Sequence, residues 1–136
     1  MRYIESSALV AALLEQDAAA LEALRANGTH VTSALTLAET ARAIVRARVS
    51  GHLSAPQEHA AMRALRTFEL RTFTVEVSAA VLARVGRPFP VEPIRTLDAV
   101  HLATVEVLGD QPQRVTVVTR DVRVRDNARA LGYQVE

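Results

Sequence analysis

The apolar positions of this 136-residue chain follow two spacings. Short, dense runs read as strands: Met1-Arg2-Tyr3-Ile4, His30-Val31-Thr32, Arg71 to Thr74, Val115-Thr116-Val117-Val118 and Tyr133-Gln134-Val135. Between them, apolar residues return every three or four positions, the period of a helix with one buried face. That spacing predicts helices over 7–14, 18–26, 34–49, about 55–67, 78–85, 97–108 and 123–131. Their ends carry local signals. Asn27-Gly28 and Gly132 are stops, and Ser33, Ser54 and Thr96 are caps. Ser54 is followed by Ala55-Pro56, a favourable order for a first turn. Pro88, Pro90 and Pro93 make 87–93 irregular, because proline cannot donate into a continuing helix. Strands separated by helices predict a single α/β domain, residues 1–136, with a central parallel sheet of about five strands flanked by helices. No internal repeat, linker or low-complexity segment interrupts the pattern.

Composition narrows the picture modestly. Hydrophobic residues make up 49% of the chain, but no run reaches the roughly 18 apolar residues that a membrane span needs. The opening residues follow a strand pattern and lack the basic-then-apolar order of a signal peptide. With no cysteine, disulfides and thiolate metal sites are excluded. The absence of cysteine is compatible with a reducing cytoplasm, the expected location. A net charge of +1 selects no partner. All 16 basic residues are arginine, the better bidentate phosphate ligand, although a coding bias towards arginine explains the same fact.

The chemistry lies in four acids, each where a strand or turn hands over to a helix: Glu5, Glu39, Asp98 and Asp121. In an open parallel sheet, ligands bind beyond the carboxyl ends of the strands, which places Glu5 and Asp121 on one edge. Glu39 lies about one turn into the helix after the second strand, and Asp98 lies in the first turn of the helix beginning near Thr96. A first-turn acid also suits the helix dipole without any function. Glu39 and Asp98, however, have alanine, leucine and valine as neighbours, and a buried carboxylate needs a partner or a metal. Acids gathered at one edge repel unless a cation holds them, and hard divalent ions prefer carboxylate oxygen.

These segments resemble the PIN domains of VapC-type toxins from bacterial toxin–antitoxin pairs. Tyr3-Ile4-Glu5-Ser6-Ser7-Ala8-Leu9-Val10 is similar to the family's opening. Thr32-Ser33-Ala34-Leu35-Thr36-Leu37-Ala38-Glu39 is similar to its second acid segment, and Leu97-Asp98-Ala99-Val100-His101-Leu102-Ala103-Thr104 to its third. Val117-Val118-Thr119-Arg120-Asp121, followed by Asn127 to Tyr133, is similar to the fourth. The resemblance covers essentially the whole chain, in order. It implies a PIN-like fold, a four-carboxylate site for Mg²⁺ or Mn²⁺, and endoribonuclease activity on RNA. It also implies a VapB-like antitoxin partner and a homodimer, and the lack of a long apolar run predicts no membrane association.

On that reading Glu5, Asp98 and Asp121 hold the metal, and Glu39 completes its shell or orients the nucleophile. Ser7, Thr119 and Arg120 are candidates for substrate binding, with the two hydroxyls serving equally well as turn and cap groups. His101, three residues after Asp98 on one helix face, is either a general base or a packed histidine. Asp126 is either a fifth acid or a solvated one. Arg120, Arg123, Arg125 and Arg129 either steer RNA phosphates or form a solvated face. The helices over 35–49 and 55–65, with Phe68, either expose an apolar groove for an antitoxin helix or pack the core. One residue departs from the family pattern. The first acid is normally aspartate, and Glu5 carries its carboxylate about 1.5 Å further out. That shift weakens or redirects binding of an ion as geometrically strict as Mg²⁺. Two other readings remain: a metal-dependent phosphoesterase or nuclease with another substrate, and a PIN-like binding module whose activity is impaired by Glu5.

Overall fold

The computed structural model describes residues 1–136. Five strands, β1 (Arg2–Ile4), β2 (His30–Ser33), β3 (Phe73–Val75), β4 (Thr116–Val118) and β5 (Gln134–Val135), form one sheet in the order β3-β2-β1-β4-β5. Every pairing is parallel. The helices are α1 (Ser6–Leu14), α2 (Ala18–Arg25), α3 (Ala34–Val49), α4 (Ala55–Arg71), α5 (Ala79–Val85), α6 (Thr96–Val107) and α7 (Val122–Ala130). No helix is long and apolar enough to cross a membrane.

Helices cover both faces of the sheet, so its central strands are buried on both sides and read as unbroken apolar runs. Alternation of side chains along a strand then divides the core. Tyr3 and Val117 point into a cluster with residues of α5, α6 and α7, including Val81, Leu102 and Val124. Their neighbours Ile4 and Val118 point the other way, towards Leu9 of α1, Ile44 of α3 and Leu65 of α4.

Local capping explains most boundaries. Ser33, Ser54 and Ser78 accept backbone N–H groups at the starts of α3, α4 and α5, and Ser54 forms a reciprocal capping box with Gln57. Gly132 follows α7 with a φ of 91°, a left-handed conformation that glycine adopts without a steric cost. Four expected boundaries are corrected. Helix α4 runs on to Arg71 because Leu65 and Phe68 continue its apolar stripe into the core. That pushes β3 to Phe73–Val75 instead of Arg71 to Thr74. Thr96 is the first helical residue of α6; the cap is Arg95, which makes no side-chain capping bond. Helix α7 begins at Val122, one residue earlier than expected, because Asp121 caps it.

Candidate active site

The strand order reverses direction at β1: β2 lies on one side and β4 on the other. Beyond the carboxyl ends of these strands the crossovers separate, which is where open α/β sheets bind ligands. Glu5 leaves β1 at this point, its backbone N–H still bonded to Val118 O of β4 at 3.0 Å.

Glu5 is buried, at 4% exposure, and its carboxylate is caged. Oε1 accepts from the Ser6 hydroxyl at 2.6 Å and from the Ser7 backbone N–H at 3.0 Å. Oε2 accepts from the Ser7 hydroxyl and from Thr119 Oγ1 at 2.7 Å. The same glutamate therefore caps α1 and ties β1 to the loop after β4. Ser7 Oγ also accepts the backbone N–H groups of Arg120 at 2.7 Å and Asp121 at 3.1 Å. Ser7 and Thr119 thus hold the loop carrying Asp121 against Glu5, whatever else they do.

Glu39 reaches the same place from α3. Its Oε2 is 2.7 Å from His101 Nε2, and that nitrogen is 3.7 Å from Glu5 Oε1. Ligand atoms of Glu5, Glu39 and His101 all lie within 4.8 Å of one another, close enough to share an ion. Burial by itself raises the Glu39 carboxyl, but the His101 hydrogen bond and charge, with Ser6 and Arg46, outweigh it and hold the group below its ordinary range. Beneath the imidazole, Tyr3 OH lies 2.9 Å from His101 Nδ1. Burial, then the charge of Glu5, pushes the Tyr3 phenol far above its usual range.

Asp98 stands in the first turn of α6, one helical turn before His101. Its Oδ2 is buried and has no hydrogen-bond partner. Burial, then the charges of Asp121 and Glu5, raises its carboxyl above the ordinary value. Asp121 spends Oδ1 on capping α7, accepting from Arg123 N at 2.7 Å and Val124 N at 3.2 Å. Its Oδ2 has the Arg123 guanidinium at 4.0 Å. A partnerless buried oxygen in a field of like charges is what a cation resolves, so the donor set fits a hard divalent ion.

Asp126 pairs with its neighbour Arg125 at 3.1 Å. The converging group is Glu5, Glu39 and His101; Asp98, Asp121 and Asp126 all lie outside it, and of these Asp98 alone has a buried oxygen without a partner. Most of the arginines singled out by sequence are also engaged. Arg120 bonds Asp17 at 2.9 Å, Arg125 bonds Asp126, and Arg123 lies beside Asp121. Two others went unnoticed. Arg42 and Arg46 join Leu35, Ala38, Glu39 and Leu97 around a cleft of about 420 Å³ that opens beside the acids. Their spacing from Glu39, three and seven residues along one helix face, was the available signal. Tyr3 and Ser6 were missed too, hidden in a strand and a cap. Of the two readings of α3 and α4, the structure has them packed on each other and the core, not framing a groove. An apolar cleft of about 450 Å³ lies instead between α1, α2 and α4, lined by Leu13, Leu14, Leu21 and Ala61 among others.

A parallel sheet with this order, and carboxylates gathered at its switch point, define an α/β protein with an acidic site beyond the carboxyl ends of its strands. The PIN domain profile matches residues 2–130, and the chain belongs to the PIN-domain family, among its VapC-type members. It is 38% identical over 135 residues to Ribonuclease VapC46 of Mycobacterium tuberculosis, covering 98% of this chain and 94% of that protein. It is 32% identical over 139 residues to Ribonuclease VapC35 of the same species, covering 99% and 95%. In fold it is similar to M. tuberculosis VapC20, described as a sarcin–ricin loop cleaving toxin, with a TM-score of 0.68 at 18% identity over 98% of this chain and 96% of that one. It is also similar to VapBC2 of Rickettsia felis bound to a promoter DNA fragment, with a TM-score of 0.67 at 18% identity over 100% and 98%.

Proposed function

We propose that residues 1–136 act as a single PIN-like domain, a Mg²⁺- or Mn²⁺-dependent endoribonuclease that is the toxin of a VapBC-type pair. The observation that carries the metal is Asp98 Oδ2, buried without a partner beside Asp121 and Glu5. Glu5, Asp98 and Asp121 hold the ion, and Glu39 stands next to Glu5 to complete its shell or orient the attacking water. A bound divalent ion supplies a water of lowered pKa and neutralises charge that builds on the phosphate. Ser7 and Thr119 keep the Asp121 loop and Glu5 at a fixed separation, and the Arg120 backbone is held in the same network. Arg120 then meets substrate only by leaving Asp17.

The RNA reading draws on the VapC relatives and on the cleft beside Glu39, where Arg42 and Arg46 suit a phosphodiester backbone. Solved neighbours described as VapBC assemblies support a VapB-like antitoxin. The apolar cleft between α1, α2 and α4 suits a helix of that partner. A homodimer and a cytoplasmic setting complete the proposal. Purified protein should cleave RNA with added Mn²⁺ or Mg²⁺ and stop when EDTA is present. Asp98→Asn should lower the rate by about 10²-fold or more while remaining folded. Undiminished cleavage by a folded Asp98→Asn protein places the activity elsewhere.

A further inference from the structure

The sheet and the two helical layers meet at one buried imidazole. His101, on α6, is 1% exposed; Glu39 comes from α3 in the other layer, and Tyr3 from the central strand. A carboxylate only accepts, so His101 Nε2 donates to Glu39 Oε2 across 2.7 Å. On the other side of the ring Nδ1 lies 2.9 Å from Tyr3 OH, so both ring nitrogens are bonded. Burial keeps that phenol protonated. Tyr3 itself is 0% exposed and paired on both sides, with Val31 of β2 and Val117 of β4. The ring cannot flip without losing both bonds.

Resting on the metal-dependent reading above, we propose that Tyr3 and His101 are positioning residues that fix the Glu39 carboxylate beside Glu5 before an ion arrives. Glu39 needs such a tether. Its side chain is 26% exposed and sits at the mouth of the cleft with Arg42 and Arg46. Free to rotate, it would turn towards those arginines. The chain Tyr3–His101–Glu39 transmits the rigidity of the central strand to an acid carried by α3. Neither Tyr3 nor His101 has to touch the ion, and groups in that role typically change metal affinity or activity by about 10–100-fold when removed.

The test uses the full chain and three variants. In the metal-free wild type, ¹⁵N NMR of His101 should show one sharp set of ring signals, with a proton on Nε2. Tyr3→Phe, which removes only the hydroxyl, should free the ring to move and broaden them. His101→Gln can place an amide N–H near the Nε2 position; His101→Met fills similar volume without a donor. Mn²⁺ titration should show binding about tenfold weaker or worse for His101→Met, with most of the loss recovered in His101→Gln. kcat should follow the same order, while KM for an RNA oligonucleotide stays constant. Equal losses in the Gln and Met variants mean direct ligation or packing and overturn the proposal, as does wild-type affinity in both. Should His101→Met not fold, Tyr3→Phe decides: ring signals as sharp as wild type and unchanged Mn²⁺ affinity refute the tether. A wild type that binds no divalent ion removes the metal reading, and this inference with it.

Discussion

Replacing Glu5 by aspartate tests whether the serine and threonine cage, not charge alone, governs this position. Side-chain length by itself suggests that stability should be indifferent, since the charge stays in place. The cage argues otherwise. Aspartate withdraws the carboxylate by about 1.5 Å. It can re-form the local bonds to Ser7, whose backbone N–H and hydroxyl both reach Glu5 now. The bond from Thr119, at 2.7 Å, comes from 114 residues away and cannot follow. A buried hydrogen bond to a charged group contributes about 1.5–3 kcal/mol. The lost methylene adds about 0.8 kcal/mol, and the better capping of aspartate returns part of it. The net cost is about 2 kcal/mol. For a chain of this length that lowers Tm by roughly 8 °C. Thermal melts in EDTA should be run on Glu5→Asp, Thr119→Val and the double variant. If the Thr119 bond is what aspartate loses, the second substitution should cost little after the first, a coupling of about 1–2 kcal/mol. Melting of Glu5→Asp at or above the wild-type temperature, or strict additivity, would refute the reasoning. Titration of the same proteins with Mg²⁺ probes the other consequence, since a carboxylate freed from its cage should bind the ion more tightly.

Asp98→Asn should also reveal the strain of the metal-free site. Burial, then Asp121 and Glu5, raises the Asp98 carboxyl above its ordinary 3.8. A raised acid favours the folded state fully only below that value, and the contribution is lost as pH climbs through the folded pKa. Metal-free Asp98→Asn should therefore melt above wild type at neutral pH, with the gap closing in acid; a lower Tm at neutral pH contradicts the account. Arg42→Gln and Arg46→Gln should each raise KM for RNA and reduce the slope of log affinity against log salt by about 0.7, with kcat nearly unchanged. A slope equal to wild type in both would remove the cleft from the substrate path. Ser54→Ala should lose the capping box of α4 and cost about 1 kcal/mol without touching metal affinity, as read by denaturant melts and Mn²⁺ titration.

The sequence by itself determined what depends on near neighbours. The two apolar periods marked all five strands and seven helices. Ser33, Ser54 and Gly132 marked helix ends, because capping is a contact within a few residues. The four candidate acids could be picked out because each follows a strand or lies near a helix start, and position in an α/β unit is local information; that Glu5 and Glu39 converge with His101 was not local. Tertiary structure alone decided which oxygens are caged, which are partnerless and which arginines are free. Glu5 meets Thr119 across 114 positions, His101 meets Glu39 across 62, and Tyr3 meets His101 across 98. The sheet order β3-β2-β1-β4-β5 brings those pairs together. The extension of α4 to Arg71 belongs with them, since packing of Leu65 and Phe68 carried it past the expected end. Periodicity states which face of a segment is buried. It does not state which other segment buries it, and the chemistry of this site is made between segments.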